Sequence, residues 1–334
     1  MSVDALTWLA SLLMILLASV LFTNGIEILG HRLKMRQSAV GSVLAAVGTA
    51  LPETVVPIIA IAFIRDPAAI DVGIGAIAGA PFMLATLGLF ITGAAVIVFS
   101  LLGRRTMEVR VPPGAVARDL TFFLVLYGVA VLTAFIPIYA LRVVIALALL
   151  GSYAIYLRRT ICADSEALEM PDLLWLTRLF RVPHRPAWIV AQVAGSLALM
   201  LAGAHIFVGV VERIAERLGI AALLVSIILT PIATELPEKL NSILWVRRKK
   251  DTLALGNMTG AMVFQSCFPV VFGMIFTPWN LRGATMVSAL IALAMGLFIL
   301  GWVKVRKSLS PWPLLAGGLM YGVFIACVLG VFRR

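Results

Sequence analysis

Charge is what this 334-residue chain has least of. Only 13% of its residues are Asp, Glu, Lys or Arg, against roughly 25% in soluble domains. Hydrophobic residues make up 62%, and the mean hydropathy is +1.06. That shortage of charge excludes a soluble enzyme and puts most of the chain in lipid. Cysteine and histidine are scarce too, at three each. Cys162, Cys267 and Cys327 stand far apart without metal-ligand spacing, which argues against disulfides and zinc. Cys267 and Cys327 lie in apolar runs and read as small core residues. With His31, His184 and His205 scattered, no nucleophile–base pair or metal cluster of a membrane-embedded enzyme is visible. The net charge of +11 lacks a basic face with interleaved aromatics, so nucleic acid is not an expected partner. No basic segment precedes the first apolar run, so a cleaved signal peptide is not expected.

What is present is a series of long apolar runs. A spanning helix needs about 20 mostly apolar residues, and candidates fall near 5–30, 36–64, 70–101, 119–137, 139–157, 187–211, 220–246, 252–277, 281–303 and 311–331. The division at 137–139 rests on Pro137 and a short connection. The expected architecture is therefore an all-α polytopic membrane protein of ten transmembrane helices. Alternate loops gather nineteen of the 27 Lys and Arg, in clusters around Arg32, Arg104, Arg158, Arg247 and Lys304; the opposite side, with both termini, holds seven. Positive residues favour the cytoplasm, so both termini are expected outside. The hydrophilic segment 159–186 reads as a solvated cytoplasmic linker between 1–158 and 187–334.

Those two parts repeat one another. Gly48-Thr49-Ala50-Leu51-Pro52-Glu53 matches Ala233-Thr234-Glu235-Leu236-Pro237-Glu238 at an offset of 185 residues. The match extends upstream, pairing Glu27 with Glu212, Arg32-Leu33 with Arg217-Leu218, and Val40 with Val225. Downstream, Gly75 and Gly79 pair with Gly256 and Gly260. Five spans per half is an odd number, so the second half enters the membrane upside down. Inverted repeats of this kind build secondary transporters, with interrupted helices around a midplane ion site.

A carboxylate at membrane depth marks function by default, and each motif sets one beside a proline that weakens the local helix. Glu53 and Glu238 are the first candidates for cation ligands, since hard cations such as Ca²⁺ take several oxygens, carboxylates among them. Thr49 and Thr234 lie four residues before each acid, on the same helical face. Pro52 and Pro237 release carbonyls one turn back, at Gly48 and Ala233. Glu235 has Ala50 as its counterpart; it is either a third ligand or, four residues before Lys239, one half of an ion pair. Gln265 is a polar group in an apolar run and a candidate neutral ligand. The paired glycines read as close helix contacts, and Asn257 as an interhelical hydrogen-bonding group. His205, opposite Val20 in the repeat, reads as a packing residue rather than a proton relay. Glu27 with Arg32 and Glu212 with Arg217 read as interfacial ion pairs.

At these motifs the chain resembles the cation/calcium antiporter superfamily, in particular its sodium/calcium exchanger branch. The family pattern has two inverted repeats of five spans, a Gly-Thr-Ser-Leu-Pro-Glu-type motif and a following Gly-Asn-x-x-Gly-Ser-Asn-type segment. Asp251-Thr252-Leu253-Ala254-Leu255-Gly256-Asn257 is close to it. The resemblance implies that Glu53 and Glu238 bind Ca²⁺ and that Thr49 and Thr234 help bind sodium. It also has departures: Ala50 and Glu235 replace the motif serines, Ala80-Pro81 and Ala261-Met262 replace Ser-Asn, and Leu84 and Gln265 stand at the later ligand positions. Most hydroxyl and amide ligands associated with sodium are missing and an acid is gained. Carboxylates confined together at low dielectric repel one another and favour holding a proton.

The function implied is secondary active antiport of Ca²⁺ against Na⁺ or H⁺. The alternatives are a channel-like or sensory relative of the fold and a transporter of Mg²⁺, Mn²⁺ or an organic cation. No cofactor is expected beyond the transported ions. The expected partners are membrane lipid and those cations, in a plasma membrane of prokaryotic type.

Overall fold

A computed structural model describes residues 3–32, 50–163, 173–181 and 185–332. Among the described residues the chain is helical throughout, with one isolated β-bridge between Val109 and Leu309. The helices are α1 (Val3–Arg32), α2 (Leu51–Ile58), α3 (Pro67–Met83), α4 (Leu89–Leu101), α5 (Pro113–Leu132), α6 (Tyr139–Ala163), α7 (Trp175–Phe180), α8 (Pro186–Leu218), α9 (Ala222–Thr234), α10 (Leu236–Arg247), α11 (Asp251–Gln265), α12 (Phe268–Phe276), α13 (Ala284–Arg306) and α14 (Pro311–Phe332). Eight segments among them are long and apolar enough to cross a membrane. The expected span over 36–64 is described only from residue 50. The one over 220–246 divides into α9 and α10, and the one over 252–277 into α11 and α12. The division at 137–139 is present, because α6 starts at Tyr139 directly after Pro137.

Local chemistry sets these boundaries. Asp66 caps α3 by accepting a hydrogen bond from the Ala69 N–H at 2.7 Å, with Pro67 at the first helical position, where its missing N–H is no loss. Gly219, at φ 63°, ends α8 in the left-handed conformation a side chain disfavours. Pro57 and Pro81 lie inside α2 and α3, and each is followed by a wider π-helical stretch, 59–64 and 84–88. A proline removes one rung of the ladder and helices relax around it in this way.

Packing follows the repeat. α1 and α8, equivalent by the offset, form the most extensive helix pair. With α2, the start of α3 and part of α9 they share one apolar cluster, while α4–α6 and α11–α14 share a larger one. The next most extensive pair crosses between the halves, α3 against α9. Glycine makes that contact possible. A Cβ on Gly75 would stand 2.6 Å from the Leu223 carbonyl oxygen, and one on Gly79 2.5 Å from that of Ile227. Gly256 and Gly260 behave differently: among the described residues a Cβ would meet nothing at the first and only the Tyr156 hydroxyl, at 3.6 Å, at the second. Their equivalent partner, residues 37–49, lies outside the described residues.

Two surface expectations change. Arg217 and Arg213 pair with Asp4 at the start of α1, the latter at 3.2 Å, and not with Glu212. A contact 209 residues distant in sequence outcompetes the local one because α1 and α8 lie side by side. The described stretch 173–181 is largely exposed and is tied to the long helices at Trp175 and Leu176. Asn24 of α1 accepts from the Trp175 N–H at 3.1 Å, and Gln192 of α8 accepts from that of Leu176 at 3.0 Å and donates to Asn24 at 2.9 Å. Cys267 is buried as expected, but Cys327 is exposed. His205 faces outward from α8.

Candidate functional site

Both motifs are helix starts. Leu51 and Leu236 are the first residues of α2 and α10, and the residues before them, Ala50 and Glu235, have the same backbone conformation, φ −88° and ψ 8°. Pro52 and Pro237 therefore stand at the second helical position, where no N–H is required, rather than weakening a continuous helix. Each acid, Glu53 or Glu238, falls in the first turn of the new helix, where the positive end of the helix dipole favours negative charge.

Glu53, Thr234, Glu235, Glu238 and Gln265 are all fully buried. Thr49 lies outside the described residues. The α3–α9 contact brings the two motifs together: the Thr234 hydroxyl sits beside the Glu53 carboxylate, and Glu235 and Lys239 are within electrostatic reach of it. The Thr234 hydroxyl also lies 3.0 Å from the Thr230 carbonyl oxygen, to which it can donate. No well-formed hydrogen bond reaches either oxygen of Glu53 or either polar atom of the Gln265 amide. Polar groups left so in an apolar interior cost about 1–3 kcal/mol each, more for charge. Such a site is complementary to a cation.

Glu235 and Lys239 form the ion pair that their spacing allows, with Nζ 3.2 Å from Oε2. The ammonium also lies 3.4 Å from the Pro231 carbonyl oxygen. Among the described residues no three acidic, histidine or cysteine side chains converge as a metal centre would require. A cation held between Glu53 and Glu238 would therefore need hydroxyls, carbonyls, amides or water to complete its shell. Gln265 ends α11, and α12, which follows the Ser266-Cys267 break, packs against α2. Asn257 leaves its Nδ2 without a hydrogen bond, so the cross-helix bond considered for it is not made by that atom.

Sequence reasoning missed several buried polar residues. Ser226 and Thr230 are two, continuing the face of the expected Thr234 back along α9 at four-residue spacing, both buried. Ser226 donates to the Val72 carbonyl of α3 at 2.6 Å and lies 3.0 Å from the Thr230 hydroxyl. That spacing was readable in the sequence; the helix it faces was not. Asp119 is a further buried acid, but it is satisfied: the Thr259 hydroxyl donates to it at 2.8 Å and Arg118 pairs with it at 3.2 Å. It ties α5 to α11. Near the ends of α4 and α10, Arg105 grips Asp251 with two bonds of 2.6 and 2.7 Å, both side chains buried, and the Arg110 N–H adds a third at 2.9 Å.

Comparison with known proteins agrees with this architecture. The profile of a family described as "Sodium/calcium exchanger protein" matches residues 4–161 and 188–333. Over 167 residues the chain is 29% identical to the protein named "Putative antiporter CaxA" of Alkalimonas amylolytica, a match taking in 47% of this chain and 51% of that one. The chain thus spans about half the length of the curated relative it matches. Among solved structures, the H⁺/Ca²⁺ exchanger CAX superposes with a TM-score of 0.75 at 19% identity, over 98% of this chain and 82% of that one. The sodium-calcium exchanger NCX_Mj does so with a TM-score of 0.60 at 19% identity, over 97% of this chain and 98% of that one. At such identity these two likenesses speak for the fold.

Proposed function

This chain belongs to the sodium/calcium exchanger protein family, and from that premise we propose that it is a secondary active antiporter, exchanging Ca²⁺ for H⁺ or Na⁺ by alternating access. It is an integral multi-pass membrane protein and a transporter rather than an enzyme. In this proposal its ten spans form two inverted five-helix repeats, 1–158 and 187–334, with both termini outside the plasma membrane. The cation is bound at the midplane by Glu53 and Glu238, with Thr49, Thr234 and Gln265 as supporting ligands.

The observation that carries the proposal is the matching start of α2 and α10, each presenting a fully buried glutamate in its first turn. Buried carboxylates in an apolar interior are costly unless a cation or a proton neutralises them. That cost is what couples the ions: the site is stable when filled by Ca²⁺ or by protons, so one displaces the other. Protons are the favoured counter-ion, because the segments after both motifs, Gly79-Ala80-Pro81 and Gly260-Ala261-Met262, lack the hydroxyls and amides that a sodium cage needs.

Ca²⁺ flux into proteoliposomes under separate sodium and pH gradients tests this. Uptake driven by the pH gradient is expected; flux driven by sodium and indifferent to pH would refute the proton version. Unchanged Ca²⁺ affinity in the Glu53→Gln, Glu238→Gln double variant would overturn the site.

A further inference from the structure

Superimposing the two motifs by their offset isolates one concerted difference. Ala50 and Thr54 of the first repeat correspond to Glu235 and Lys239 of the second. In the first repeat the pair is neutral, the Thr54 hydroxyl donating to the Ala50 carbonyl at 3.2 Å. In the second the same two positions hold an ion pair, again at 3.2 Å. An acid and a base have entered together, on one face of one turn, at a site that must balance its charge. The ammonium is almost fully buried. It is held by a carboxylate oxygen and, at 3.4 Å, by the Pro231 carbonyl, the kind of oxygen ligands that a bound monovalent cation takes. Its charge also reaches Glu53 of the other repeat.

We propose that the Lys239 ammonium is a resident cation of the transport site, standing where a second, monovalent ion would otherwise bind, so that the exchange cycle has no sodium requirement. This rests on the antiporter reading and specifies its ion selectivity. Glu235 is neutralised in place by Lys239, and Glu53 and Glu238 remain for the cargo. Removing the ammonium alone leaves Glu235 uncompensated and open to sodium; removing both charges restores the neutral arrangement of the first repeat.

The test is calorimetric Ca²⁺ binding to the purified full-length protein, with sodium replaced by choline at constant ionic strength, in the wild type, Lys239→Met and Glu235→Gln/Lys239→Met. In the wild type and the double variant the Ca²⁺ affinity is expected to change by less than about twofold on adding sodium, and in Lys239→Met to fall by at least about tenfold. Equal sodium sensitivity of wild type and Lys239→Met, or a sodium-sensitive double variant, would overturn the proposal. Should Lys239→Met not remain monodisperse, sodium sensitivity of either remaining protein does so. Failure of the antiporter reading looks different: the wild type binds no Ca²⁺, or binds it as well after Glu53→Gln. Sodium titration alone then decides the role of Lys239, with binding expected to Lys239→Met and not to the wild type.

Discussion

Gly79→Ala tests the contact on which the site's assembly depends. The added Cβ would lie 2.5 Å from the Ile227 carbonyl oxygen and 2.8 Å from Cγ of Pro231. Neither is the tip of a flexible side chain, so α3 and α9 would have to part by about 1 Å to regain ordinary contact distance. Overpacking of this kind costs about 1–3 kcal/mol. Against that, alanine in a helix interior is favoured over glycine by roughly 0.5–1 kcal/mol, leaving a net loss of up to about 2.5 kcal/mol. The displacement falls one turn before Thr234 and Glu235, so cation binding is expected to suffer along with stability. Thermal unfolding of the detergent-solubilised protein, followed by intrinsic fluorescence with and without Ca²⁺, measures both. Gly151→Ala is the control, since a Cβ there meets nothing within 4 Å; it should be neutral or slightly stabilising. A Gly79→Ala variant as stable as Gly151→Ala, with wild-type Ca²⁺ affinity, would refute the reasoning.

Gln265→Leu is expected to raise stability by about 1–3 kcal/mol, because a buried amide with neither polar atom bonded is replaced by an apolar side chain. The same change should lower Ca²⁺ affinity, and calorimetry that finds affinity unaltered would remove Gln265 from the ligand set. Asp251→Asn is expected to cost about 3–5 kcal/mol, as it leaves the Arg105 guanidinium buried without its carboxylate. Because that pair is shielded from solvent, the loss should persist at high salt; a loss that vanishes in high salt would show the pair to be solvated.

Much of this fold is written locally. A run of about 20 apolar residues can only cross a membrane as a helix, and so the spans at α3 to α6, at α8 and at α11 to α14 lie close to where hydropathy puts them. A helix irregularity at each motif was legible as well, through Pro52 and Pro237, although its form was not. Proline reads as a weak point inside a helix, whereas here it is the second residue of a new one. Only the backbone conformation of Ala50 and Glu235 distinguishes the two. Asp4 carried no signal of its partnership with Arg213 and Arg217, nor Asn24 and Gln192 of theirs with α7, because each contact joins segments far apart in sequence.

By itself, then, the sequence determined that the chain is a repeated helical membrane protein and which glutamates are the candidate ligands, since a carboxylate in an apolar span is expensive wherever the span packs. The partners of those acids were a tertiary matter. Glu235 could equally have turned to a cargo ion or to Lys239, since four residues along a helix permit an ion pair without requiring one. The structure pairs them at 3.2 Å. It also brings Thr234 beside Glu53 across two repeats, through glycines that let α3 and α9 approach closely enough for the two motifs to share one interior.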